Sequence, residues 1–443
     1  MEPAAIPARK AAADTTMNRQ LRQTRSVCPV CLRNLPARLI GLEDGRVLME
    51  KRCPEHGDFS VPVWNGRVDF EHWSRGAQPL GEGTGLCCPD QCGLCQEHES
   101  GSCCVLLEIT SRCNLRCRFC FANGGTLAQE PDTETLKAEI ADIAKRCNGP
   151  FLQLSGGEPT LREDLPELIR YAKQVGCPYV QLNTNGIALG NSPELALRLA
   201  EAGLDVVFLQ FDGTDDAIYQ QLRGRPLLED KLRAIRNCGR AGIGVTLVPT
   251  VVKGVNDQNL GELIRLAASL TPDVRGIHFQ PVSYLGRIPN APQKEDRYPL
   301  DQLMADISTQ AGIPLDSFLP SRCDHPLCGF HGVYFAEPDG TLRPLTNISH
   351  ASLERTCSSQ NRDYVFRRWH RPAETAAGAE NLVGFDAFLY RMRHASLSLS
   401  AMAFQDAGNL NIERLHRCSL HVYRNGNVLP FCARYLTPME PLP

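Results

Sequence analysis

No run of apolar residues in this chain approaches the length of a bilayer span. The opening stretch, MEPAAIPARKAAADTTMNRQ, lacks the apolar core of a signal peptide. Neither sign of charge prevails: 47 basic residues face 50 acidic ones, so no long-range field argues for nucleic acid. The expected setting is a reducing cytoplasm, where clustered cysteines mean metal more often than disulfides. Cysteine is the surplus. There are 20 in 443 residues, in at least three tight groups.

The pattern divides the chain. Residues 1–25, rich in Ala, Arg and Thr without a period, read as a disordered tail. Residues 26–80 open with CPVC, continue as a hairpin (ARLIGLE, a turn at Asp44-Gly45, RVLMEKR) and reach CPEHG; knuckles flanking a hairpin make a metal ribbon. Residues 81–104 hold six cysteines and little apolar content, so metal must order them. From 105 to 285, short β-branched runs (VLLEIT, FLQLSG, YVQLNTNG, VVFLQFDG, VTLVPTVV, GIHFQPV) alternate with amphipathic helical stretches. That alternation predicts a parallel α/β sheet, a partial (β/α)6 TIM-like barrel with chemistry at its C-terminal rim. Residues 286–443 are less regular and end in a hairpin turning at Asn425-Gly426, with Cys418 and Cys432 on its arms.

The first barrel strand runs into TSRCNLRCRFCFA, in which Cys113, Cys117 and Cys120 are spaced C-x3-C-x2-C. Three thiolates in one loop can hold three irons of a [4Fe–4S] cube and leave one corner open. A zinc knuckle, or a cluster closed by a distant cysteine, fits the spacing equally. The strand ends that follow carry SGGEP, with Gly156, Gly157 and Glu158, then NTNG, then QFDG, with Gln210 and Asp212. Each alone is an ordinary turn; together they make one polar, glycine-lined rim in which Glu158 can receive an ammonium group. The same cysteine spacing recurs at Cys88, Cys92 and Cys95, with Cys103 or Cys104 as a fourth ligand to an auxiliary cluster or zinc. Cys28, Cys31, Cys53 and His56 suit a tetrahedral zinc or rubredoxin-like iron. Cys147, Cys177 and Cys238, in or beside helices, read as structural; Cys357 has no partner in the pattern. Arg223, His278, Tyr284 and Arg287 are candidates to face substrate.

The cysteine loop and the rim together resemble the radical S-adenosylmethionine (SAM) superfamily. The fragments CPVC, CPEHG, CPDQCGLCQEH, LVPTVVKGVND, DHPLC and LPFCARYLT are similar to one branch of it, which includes archaeal tetraether lipid synthases, methanopterin-methylating enzymes and the bacterial (seleno)protein TrsS group. The resemblance runs from about residue 26 to 437. It implies a [4Fe–4S] cluster on Cys113, Cys117 and Cys120, with Phe119 by the SAM adenine and Gly156, Gly157 and Glu158 at its methionine amino group. Gln210 and Asp212 would line the SAM and substrate space. It favours Cys103 as the fourth ligand with Cys88, Cys92 and Cys95, and implies a further cluster on Cys323, Cys328, Cys418 and Cys432, against the reading of these four as buried thiols. The implied activity is reductive SAM cleavage to a 5′-deoxyadenosyl radical, for methylation or carbon–carbon bond formation on a small-molecule or lipid substrate. A ferredoxin or flavodoxin would donate the electron. A radical maturase acting on a peptide or cofactor is the alternative. A non-enzymatic iron–sulfur carrier needs neither the barrel nor the rim, and a nucleic-acid ribbon would be basic, which CPEHGDF is not.

Overall fold

A computed structural model describes residues 18–77, 79–81, 83–90, 95–125, 130–337, 340–352, 354–373 and 383–439. Cys92 and the tail up to residue 17 lie outside the described residues.

Strands β1 (Arg19–Val27), β2 (Asn34–Gly41), β3 (Arg46–Cys53) and β4 (Gly57–Asn65) form an antiparallel sheet in chain order. The expected hairpin is β2–β3, paired from Ala37↔Lys51 to Gly41↔Val47, with Gly45 at a φ of +85° that suits glycine. On β3, alternate residues Val47 and Met49 are buried, against Leu39 and Trp64. The tail expected to reach residue 25 is corrected: residues 19–25 are strand. The inward positions of β1 include polar Thr24 and Ser26, which no apolar period reveals. Both are paired, Thr24 Oγ1 donating to Asn411 Oδ1 (2.7 Å) and Ser26 Oγ accepting from Lys51 Nζ (2.9 Å).

The six expected barrel strands are β5 (Cys104–Thr110), β6 (Phe151–Gly156), β7 (Tyr179–Thr184), β8 (Val206–Gln210), β9 (Gly244–Val248) and, after the short β10 (Thr250–Val251), β11 (Val274–Pro281). Neighbours in the order β5-β6-β7-β8-β9-β11 pair in parallel, and helices connect them. The helix Thr133–Arg146 is typical. Asp132 caps it by accepting from Thr135 N, and Leu136, Ile140 and Ile143 fall on one buried stripe. Burying each such side chain contributes roughly 1.5–3 kcal/mol.

Residues beyond 285 do not stand apart from the barrel. They supply β12 (Leu319–Pro320), β13 (Gly329–Ala336), β14 (Leu342–Pro344), β15 (Ser396–Met402), β16 (Leu420–Arg424) and β17 (Asn427–Pro430) to the same sheet. β15 adds in parallel to β11 and β16 in parallel to β5, so one more parallel strand extends each edge. The two edges meet at buried Asp324, which follows β12 and accepts from Ser419 N (2.7 Å) and Oγ (2.9 Å), just before β16. The helix Ser358–Trp369 covers the N-terminal strand ends. Phe366 stacks on Tyr179 at 3.8 Å, and Trp369 O lies 2.3 Å from where a Cβ on Gly244 would stand.

Candidate active site

The loop after β5 is gripped by its neighbours' backbones. Gly157 N donates to Thr110 O and Glu158 N to Arg112 O, both at 2.7 Å. A Cβ on Gly156, whose φ is +117°, would lie 2.2 Å from Thr110 O, and one on Gly157 would lie 2.1 Å from Arg112 O. The paired glycines are what permit this approach. On the other side Cys120 and Arg287 exchange backbone hydrogen bonds of 3.0 and 2.9 Å. The Arg287 guanidinium donates to Cys117 O (3.1 Å) and Gly124 O (3.0 Å). Arg287 therefore holds the cysteine loop rather than facing substrate.

The three sulfurs have an environment suited to a cluster. Leu115 N points at Cys113 Sγ (3.5 Å), Gly124 N at Cys120 Sγ (3.4 Å), and the Arg223 guanidinium interacts with Cys117. Burial pushes the Cys113 thiol up to about 11, so a thiolate there requires a cation beside it. Among the described residues, the other cysteines lining the same cavity are Cys103 and Cys104, which belong to its opposite end. The donor set thus fits a cluster held by three thiolates.

Around the loop, Glu158 is buried and well bonded. Its Oε1 accepts from Thr184 Oγ1 (2.6 Å), Thr160 Oγ1 (2.5 Å) and Thr160 N (3.1 Å), and its Oε2 from Asn185 N (2.7 Å). Asp212, expected to line the SAM and substrate space, lies behind Arg223, which binds it through two bonds of 2.6 and 2.7 Å. Asp212 also accepts from Thr250 N. Arg223 lines the cavity with its charge already matched. Gln210 Oε1 accepts from Lys231 Nζ (2.7 Å), a wholly buried amine that burial brings down to about 7. Phe119 packs edge-on against Tyr284, which is itself buried and tied to Asp406 and Asp296. Tyr284 supports the loop and, like Arg287, is withdrawn from the substrate candidates.

A cavity of about 560 Å³ runs through the barrel from these cysteines to the helix Ser358–Trp369. One wall is an amide ladder: Gln153 Nε2 and Gln181 Nε2 both donate to Asn183 Oδ1, at 2.6 and 3.2 Å. The deep end carries Phe208, His278 and Trp369, whose rings lie 5.3–5.8 Å apart. Burial brings the His278 imidazole down to about 4, and Nδ1 pairs with Ser400 Oγ at 2.9 Å, so it faces the cavity neutral. Of the cavity's polar residues the sequence reading singled out Glu158, Gln210, Arg223, His278 and the NTNG turn. It missed Gln153, Gln181 and Trp369. Glutamines inside otherwise apolar strands were the available signal.

The other cysteine sets fare differently. Cys28, Cys31, Cys53 and His56 converge, their ligand atoms all within 4.8 Å of one another. Cys103, expected as the fourth ligand with Cys88, Cys92 and Cys95, is buried. Its sulfur accepts from Asn361 Nδ2 (3.3 Å), and burial, with Cys323, Cys104 and Asp324 adding to it, pushes its thiol well up. Cys323 in turn has Cys357 nearby. Cys328, Cys418 and Cys432 influence one another electrostatically at the start of β13 and around the β16–β17 hairpin. Cys323, expected as the fourth of that set, is buried, and its thiol interacts with Ser419, next to Cys418. Cys147, Cys177 and Cys238 are buried in the main core, as structural thiols are.

Barrel, cysteine loop and glycine-lined rim together define an enzyme that uses SAM as a radical source. A family model described as the Radical SAM superfamily matches residues 107–267, and one described as the HMPTM N-terminal zinc ribbon domain matches residues 20–65. The chain belongs to the radical SAM superfamily. Over nearly its whole length it is similar to the 7,8-dihydro-6-hydroxymethylpterin dimethyltransferase of Methanocaldococcus jannaschii, at 32% identity across 93% of this chain and 92% of that protein. Over a shorter span it is similar to the Fe-coproporphyrin III synthase of Methanosarcina barkeri, at 35% identity across 41% of this chain and 45% of that one. Among solved structures, methylornithine synthase aligns with a TM-score of 0.38 at 16% identity, covering 48% of this chain and 63% of the other. Among the described residues no helix is long and apolar enough to cross a membrane.

Proposed function

We propose that this chain is a radical SAM methylase acting on a planar, reduced nitrogen heterocycle of the pterin class. The observation that carries this reading is the near full-length likeness to the dimethyltransferase. The cavity supports it: an amide ladder of Gln153, Gln181 and Asn183 suits the donor–acceptor edge of such a ring, and Phe208 and Trp369 suit its faces. When bound, the cluster supplies the one electron that splits the SAM sulfonium and yields the 5′-deoxyadenosyl radical. Cys113, Cys117 and Cys120 would hold it. Phe119 would lie along the adenine, and Glu158 Oε2, with one hydrogen bond already in place, would receive the methionine ammonium beside Gly156 and Gly157. Gln210, oriented by Lys231, would hold a polar edge of SAM, while Asp212 acts through Arg223. Cys28, Cys31, Cys53 and His56 would bind the ribbon's zinc, and Cys328, Cys418 and Cys432 an auxiliary cluster.

The test is anaerobic incubation of the reconstituted protein with SAM, dithionite and a 7,8-dihydropterin, followed by mass spectrometry. A methylated pterin together with 5′-deoxyadenosine is expected. Release of 5′-deoxyadenosine with the pterin unchanged overturns the substrate class, and no 5′-deoxyadenosine above a no-enzyme blank overturns the mechanism. Cys117→Ala should abolish SAM cleavage and leave the N-terminal site metallated.

A further inference from the structure

We infer that the deep end of the cavity is a subsite for a phosphate group, bound by Arg322 and Arg368 and carried on a tail of the substrate ring. The inference rests on the ring placement proposed above and adds what the ring is attached to. The sheet register lays out the path. Ser400 on β15 stands opposite His278 on β11 and opposite His331 on β13. Neighbouring strands lie about 4.7–4.9 Å apart, so His331 is about 10 Å beyond His278 across the sheet. Both histidines line the cavity. Tyr364 stands edge-on to His331, with ring centroids 5.7 Å apart, and Arg368 lies over the Tyr364 ring at 5.4 Å. Arg322 follows β12, which pairs with β13 at Leu319↔His331, and lines the same cavity. Beyond Phe208 and Trp369, the lining thus passes from apolar rings to imidazoles and then to two guanidinium groups.

The charge at this end is unmatched. Arg322 and Arg368 have no carboxylate partner among the described residues: Arg322 Nε donates to Glu354 O (2.8 Å), and Arg368 meets the Tyr364 ring. Burial, and after it Arg322 and Arg368, bring the His331 imidazole down to about 4, so it stands neutral beside them. The acid on the same wall, Asp324, is engaged by Ser419 N and Oγ, and the cation that acts on it is Arg417. Arg275, buried beside Arg368 and Arg371, adds to the positive potential. Guanidinium groups offer planar, paired donors that suit a phosphate. Two unmatched cations call for a group that carries close to two charges, which a phosphate supplies and a carboxylate does not. The distance along the sheet puts that group several bonds from the ring, at the end of the cavity away from the cysteine loop.

Anaerobic equilibrium binding to the iron-reconstituted full chain, with SAM present, tests the subsite. The probes are 7,8-dihydro-6-hydroxymethylpterin and its diphosphate ester. Wild type should bind the ester about tenfold or more tightly than the alcohol. The Arg322→Gln/Arg368→Gln double variant should bind the two alike. Arg322→Lys/Arg368→Lys, which keeps the charge, should retain most of the preference. Iron and zinc contents equal to those of wild type show that the variants fold. Equal affinities in wild type, or a preference that survives in the Gln variant, would overturn the proposal. If neither pterin binds, the ring reading fails, and inorganic diphosphate decides the subsite by itself. A rise in the melting temperature of wild type that is absent from the Gln variant supports the subsite; no rise, or the same rise in both, overturns it.

Discussion

At Gly157 a single hydrogen atom decides whether the cysteine loop can form. A methyl group would meet Arg112 O at 2.1 Å and force apart the backbones that exchange the Glu158 N–Arg112 O bond. Gly157→Ala should therefore lower both iron content and 5′-deoxyadenosine release, the latter by an order of magnitude or more, while zinc stays constant. His278 gives a pH effect with a definite sign. Burial lowers its imidazole from 6.5 to about 4 in the folded chain. Between those values the unfolded chain binds more protons, so this group makes stability fall as pH falls through the window. His278→Asn should show a shallower loss in denaturant midpoint from about pH 6.5 down to about pH 4 than wild type does. At this scale the sequence disclosed the cysteines and glycines, because spacing and turns are local. It misplaced Asp212, Tyr284 and Arg287, because a side chain's direction depends on neighbours distant in the chain.

Among the elements, the helix Ser358–Trp369 has the most consequence for its length. Its stack on Tyr179, its bond to Cys103 and its Trp369 close the N-terminal end of the cavity. Phe366→Ala removes the stack and the area buried with it, and should cost about 2–4 kcal/mol in stability. Faster hydrogen exchange through 358–369, with the barrel strands unchanged, would confirm that the helix loosens by itself. The sequence gives little warning of this helix. It has no buried stripe of its own, because its contacts are made with strand ends rather than with a sheet face. The barrel strands and their helices were legible for the opposite reason: each buries a continuous apolar run or stripe, which leaves a period in the sequence.

Across the molecule, ribbon and barrel are joined by polar contacts. Asp301, buried at the start of the helix Leu300–Ala311, accepts from Asn65 N (3.0 Å) and Arg67 N (2.9 Å) at the end of β4. Lys51 Nζ donates to Ala407 O (2.9 Å) and Gly408 O (2.8 Å). Asp301→Ala strands the two backbone donors and should cost about 1–3 kcal/mol. Limited proteolysis should then release a fragment near residues 65–77 that wild type does not yield. Unchanged cleavage would mean that Lys51 and the β1 contacts suffice to hold the ribbon.

By itself the sequence determined the chemistry: three thiols on one loop, a glycine-lined rim after successive strands and a ribbon with four metal donors, all written in short spacings and simple periods. Tertiary structure alone decided how the last third of the chain is used, as strands extending the barrel at both edges, and which cysteines keep company. Those outcomes depend on edges closing through contacts such as Asp324–Ser419, between residues 95 positions apart, and no local period records them.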